Sequence, residues 1–148
     1  MELRSALASQ GQNPMAAVIA CADSRCPIEI VFDAQPGDLF VLRNAGNTCT
    51  HAEGSIVGSL EYSTGHLKTN LVLVLGHTKC GAIAGATKTM LANRDHPPQP
   101  KQDGERTTAL ETLLHSLTPV AEQAASELPR GAEVDEIAAH AVKVNVIR

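Results

Sequence analysis

Residues 16–25 read AAVIACADSR. Five apolar residues lead straight into a cysteine, an aspartate and an arginine at alternate positions, Cys21, Asp23 and Arg25. A continuous apolar run of this length suits a strand buried on both faces, as in parallel sheets covered by helices. Polar chemistry is therefore concentrated where the strand stops. Two further runs repeat the design. DLFVLRN at 38–44 follows the turn signal QPGD, and NLVLVLG at 70–76 is the clearest strand of the three.

Helical spacing fills the intervals. Residues 53–66 form the expected crossover between the second and third strands, and 80–93, CGAIAGATKTMLAN, reads as a small-residue helix packed on the sheet. A polar, proline-rich loop is expected over 93–105. Leu110, Leu113, Leu114 and Leu117 make a helical stripe, and Thr118–Pro119 reads as the N-cap and first position of a separate helix. Val134, Ile137, Ala138, Ala141 and Val144 give a last helical stripe, which reaches the end of the chain without a stop signal. The expected fold is α/β, a parallel central β-sheet flanked by α-helices. It is one domain over 1–148, read as a fragment truncated at both ends.

The 148 residues include two Phe, one Tyr and no Trp, so the core has to be aliphatic and alanine-rich. A net charge of −4 with no basic cluster argues against a nucleic-acid partner. The longest apolar run is too short to span a bilayer, so no membrane role is expected. The N-terminus lacks the apolar core of a secretory signal. Four cysteines beside His and Asp then point to metal or catalysis before disulfides. That suits a reducing compartment, cytoplasmic or an organelle interior.

Cys21 follows the first strand; His77 and Cys80, in GHTKCG, follow the third. Ligands of open parallel sheets bind beyond the carboxyl ends of the strands, so the three are expected to converge. Two thiolates and one imidazole are a zinc set one position short of a tetrahedron, the catalytic rather than the structural pattern. Gly76 and Gly81 bracket the second ligand pair. Two thiolates nearly cancel the charge of the metal, so a nearby carboxylate helps to hold the activated water. Asp23 supplies the acceptor, and Arg25 keeps it ionised and fixed. Cys26 and Cys49 have no assigned partner; His51 and His66 are the histidines weighed as proton relays.

The stretches CADSR, QPGDLFVLRNAGN and GHTKCGAIAG resemble the β-class carbonic anhydrases, over roughly residues 10–92 and loosely beyond. The resemblance implies one Zn2+ per chain on Cys21, His77 and Cys80, with Asp23 and Arg25 as the catalytic dyad and Asp23 as a conditional fourth ligand. It implies reversible hydration of CO2 to bicarbonate and a proton by zinc-bound hydroxide. Gln12, Phe40, Ala45, Tyr62 and Gly81 would line the substrate pocket. Gln12 looks like the plant-type, permanently open branch, and Val18 stands where the bicarbonate-inhibited branch carries Trp. The family pocket lies across a subunit interface, so a homodimer or higher homo-oligomer is expected. Two rivals are a CS2 or COS hydrolase on the same zinc site and a non-catalytic zinc-bearing structural subunit.

Overall fold

The computed structural model describes residues 2–49, 54–96 and 106–147. His51 and residues 97–105, most of the stretch expected as a loop, lie outside that range. The chain divides into two compact units, Met1–Leu75 and Gly76–Arg148.

The first unit contains helix α1 (Glu2–Gln10), strand β1 (Ala16–Cys21), the single turn α2 (Ile28–Val31), strand β2 (Leu39–Asn44), helix α3 (Ser55–Gly65) and strand β3 (Val72–Leu75). The strands form one sheet in the order β2-β1-β3, and both pairings are parallel. The α/β expectation therefore holds. Every residue of β1 is buried, as its unbroken apolar run requires. Val18, Ala20 and Ile28 form a small core, with Leu39, Val41, Leu73 and Leu75 packed on it. The edge strands are only half-buried, and Val72 is exposed. Ser63, fully buried at the end of α3, donates to Thr69 Oγ1 at 3.0 Å and ties the crossover to the approach of β3. The register sets Ala20 opposite both Arg43 and Leu75. It fixes which residues leave the sheet side by side.

The second unit packs helices α4 (Gly81–Asp95), α5 (Ala109–Ser126) and α6 (Val134–Ile147) against one another. Its core is Ile83, Ala86 and Met90 of α4, Leu117, Val120, Ala121 and Ala124 of α5, and Ile137, Ala141 and Val144 of α6. Helix α4 continues to Asp95, two residues past the expected helix end at Asn93.

The expected break at Thr118–Pro119 is absent; one helix runs from Ala109 through Pro119 to Ser126. Its N-cap is Thr108, not Thr118. A capping box closes it: Glu111 N–H donates to Thr108 Oγ1 at 3.1 Å, and Thr108 N–H donates to Glu111 Oε2 at 2.7 Å. Proline inside a helix leaves the carbonyl four residues back without its amide, at a cost of about 3 kcal/mol. Here Thr118 Oγ1 donates to that carbonyl, His115 O, at 2.8 Å. Burial of Leu117 and Val120 on either side of the proline offsets the rest. Among the described residues no helix is long and apolar enough to cross a membrane.

Candidate metal centre

Cys21 is the last residue of β1 and is 5% exposed. Gly46 N–H donates to its sulfur at 3.3 Å. The turn that delivers this amide is closed by Asn44 and Thr48. Asn44 Oδ1 accepts from Thr48 N–H at 2.8 Å, and Asn44 Nδ2 donates to Thr48 O and Oγ1 at 2.8 Å. Gly46 has φ +79°, which a side chain would strain. An amide aimed at sulfur stabilises negative charge there, the charge a ligating thiolate carries.

Asp23 and Arg25 meet as a two-pronged pair. Arg25 Nε donates to Asp23 Oδ1 at 2.9 Å and Nη2 to Oδ2 at 2.7 Å. The Arg25 backbone N–H donates to Oδ1 as well, at 2.9 Å. Parallel N–H···O bonds between a guanidinium and a carboxylate are directional and strong for their class. The carboxylate side is well covered, 19% exposed against 56% for the arginine. The dyad expected from CADSR is thus an observed contact.

In the second unit, His77 and Cys80 flank a turn in which Lys79 has φ +55°. His77 Nδ1 lies 3.0 Å from Thr78 O. A carbonyl only accepts, so Nδ1 is the donor in this contact and Nε2 is the nitrogen left for a metal. A ligating imidazole commonly anchors its other ring nitrogen on a backbone carbonyl in this way. Cys80 is the N-cap of α4 and is 3% exposed, where the helix dipole favours a negative sulfur. Gly76, just before the pair, lies under α6: a Cβ there would stand 2.8 Å from Val146 Cγ2 and 3.3 Å from Val142 Cγ1. A Cβ at Gly81 would meet nothing within 4 Å, so the close approach lies at Gly76.

Two of the five expected pocket residues come together in the first unit. The Phe40 and Tyr62 ring centroids are 6.2 Å apart. Tyr62, 47% exposed, also stacks near His66 at 5.3 Å. Gln12 and Ala45 are exposed beside the sheet strands, and Gly81 is exposed as the first residue of α4. The sequence reading passed over Arg43, Asn44, Gly46 and Thr48. One signal was present: an arginine inside the otherwise apolar LFVLRN.

The sequence profile of the carbonic anhydrase family matches residues 16–148. The chain belongs to the carbonic anhydrase family. It is 46% identical over 80 residues to a carbonic anhydrase of Mycolicibacterium smegmatis, which covers 54% of this chain and 37% of the relative. It is 45% identical over 83 residues to carbonic anhydrase 2 of Mycobacterium tuberculosis, 56% of this chain and 38% of the relative. The chain therefore spans less than two-fifths of the curated relatives it matches. Among solved structures, the β-carbonic anhydrase CafA of Aspergillus fumigatus superposes with a TM-score of 0.76 at 32% identity, over 98% of this chain and 62% of that one. A Coccomyxa β-carbonic anhydrase gives 0.74 at 26%, over 97% and 60%. The fold is that of the β-carbonic anhydrases.

Proposed function

We propose that this chain hydrates carbon dioxide reversibly to bicarbonate and a proton, with Cys21, His77 and Cys80 holding one zinc ion. The donor set fits that metal: two sulfurs and an imidazole are zinc ligands, and three leave the open position of a catalytic site. Among the described residues these three are the group of His, Cys, Asp or Glu side chains able to hold an ion. When bound, zinc supplies a Lewis acid that makes water a nucleophile near neutral pH.

The observation that carries the proposal is the Asp23–Arg25 fork, two residues beyond Cys21. Three donors from Arg25 hold the Asp23 carboxylate ionised and in one orientation. It can only accept a hydrogen bond, so it turns the O–H of the nucleophile toward itself and the oxygen lone pair toward CO2. With Asp23 engaged by Arg25, the open arrangement is favoured over one in which the carboxylate caps the metal. Phe40 and Tyr62 offer an apolar wall for CO2, and Gln12, Ala45 and Gly81 are the further residues assigned to the substrate. As the water oxygen forms the new C–O bond, one C=O π bond of CO2 opens and its electrons go to the oxygen of that C=O; the proton given up by water passes to buffer.

The exposed Tyr62, together with Met15 and Leu71, suits a surface covered by a second copy. The β-carbonic anhydrases of Sordaria macrospora, 31% identical with a TM-score of 0.72, are described as tetrameric. A homo-oligomer is the corresponding reading for this chain. Four cysteines set among His and Asp, read as metal or catalytic groups before disulfides, suit a reducing compartment.

Stopped-flow CO2 hydration with a pH indicator tests the activity. The zinc-loaded 148-residue chain should accelerate acidification, and the metal-free chain should match buffer. Equal traces for both would sink the proposal.

A further inference from the structure

The β1–β2 ladder stops just beyond Cys21. Its last bond runs from Ala22 N–H to Asn44 O at 2.8 Å. From there a side chain continues it. Arg43, opposite Ala20 in β2, donates from Nε to Cys21 O at 2.9 Å and from Nη2 to Asp23 O at 2.7 Å. We propose that Arg43 is a positioning residue for the metal centre: its fork fixes the main chain on both sides of Ala22 and so aims Cys21 Sγ and the Asp23 carboxylate. The inference rests on the proposed function in taking those two groups as parts of the centre.

The geometry suits a guanidinium and no other side chain. Carbonyls two residues apart in extended chain point the same way. Two donors at fixed spacing on one planar group can bridge them, whereas an ammonium is a point donor on a flexible stem. Both bonds are charge-assisted and partly buried, which strengthens them. Asp23 O also accepts Cys26 N–H at 3.1 Å. Two arginines therefore hold one aspartate at different points. Arg25 grips its carboxylate and Arg43 its carbonyl. The first sets the charge, the second the direction in which that charge points.

Arg43→Ala and Arg43→Lys in the full chain test the role with three readouts. The first is amide hydrogen exchange over residues 22–26 of the metal-free protein. The second is the visible spectrum of the cobalt(II)-substituted protein, and the third is the division of any rate loss between kcat and KM. Arg43→Ala should speed exchange at Ala22 and Cys26 by about tenfold while α4, α5 and α6 keep their protection. Its cobalt spectrum should change, and kcat should fall about 10–100-fold with KM near that of the parent. Free guanidinium at about 20 mM should reverse all three in part, as a replacement for the missing group. Arg43→Lys should stay impaired. Should the alanine variant not fold, the lysine variant decides alone.

Unchanged exchange and spectrum in either variant would overturn the role, as would changes that guanidinium leaves untouched in a folded Arg43→Ala. A parent protein that binds cobalt but does not hydrate CO2 would overturn the proposed function alone, leaving exchange and spectrum to judge Arg43.

Discussion

The two segments that carry the proposed ligands are held by different forces. Residues 21–25 are fastened by polar bonds: Arg43 and Gly46 reach in from β2 and the turn after it, and Arg25 closes on Asp23. Residues 76–80 are placed mainly by packing. Cys80 opens a helix whose buried face meets two others, and Gly76 has little room beneath Val142 and Val146. The first segment should be sensitive to the loss of a donor or acceptor, and the second to a change of volume. That contrast can be broken by substitutions graded from the metal ligands outward.

The largest effect should come from the ligands themselves, where the two segments converge in their consequences. Cys21→Ser and Cys80→Ser each replace a sulfur ligand, and each should leave less than about a tenth of an equivalent of zinc after dialysis. Elemental analysis checks this; a stoichiometric serine variant would remove that residue from the ligand set. Next is Arg25→Ala, which should retain zinc and lose turnover by about 10²–10⁴-fold, the range of a positioned proton-handling group. A variant keeping most of its rate would make the fork only a salt bridge.

Substitutions in the helical unit should act on stability instead. Leu117 is 1% exposed beside the proline turn of α5, and Leu117→Ala should cost about 3 kcal/mol through lost burial and the cavity left behind. Thr108→Ala opens the capping box and should cost about 1 kcal/mol. Denaturant melts of the metal-free chain measure both. If Thr108→Ala proved as costly as Leu117→Ala, caps rather than packing would dominate this unit.

The same contrast explains what could be read in advance. β1 was legible because burial on both faces leaves an unbroken apolar run, which places Cys21 at a strand end; β2 and β3 carry apolar runs too, although both are only half-buried. Cys21, His77, Cys80, Asp23 and Arg25 stood out as candidates because few other residue types offer metal-ligating or proton-handling chemistry. Arg43 did not. Its partners are main-chain carbonyls twenty and twenty-two residues away, and only the register of β1 on β2 brings them within reach. Pro119 misled because the rule that proline ends a helix is local. Tertiary burial of Leu117 and Val120, with Thr118 Oγ1 filling the gap, is not. α1 and α2 carry no strong period or cap and passed unread.

The smallest expected effect lies at the other end of α5. Glu127 is the C-cap residue of that helix, where the helix dipole disfavours negative charge. Gln123 Nε2 donates to its Oε1 at 3.0 Å, and His140 Nε2 of α6 lies 2.6 Å from its Oε2. The hydrogen bond from Gln123, then that of His140, holds the carboxyl below the usual carboxylate range, against a small opposing effect of burial. A carboxyl lowered in the folded state stabilises that state above its unfolded pKa and loses the contribution as pH falls through the folded value. The pair is solvent-exposed, so salt screens it. Glu127→Gln should therefore lower the melting temperature slightly at pH 7 and low ionic strength. The difference from the parent should shrink toward zero in acid and in molar salt. A deficit that persisted unchanged below the carboxylate range would mean that Glu127 acts through its shape and its bond to Gln123, not through its charge.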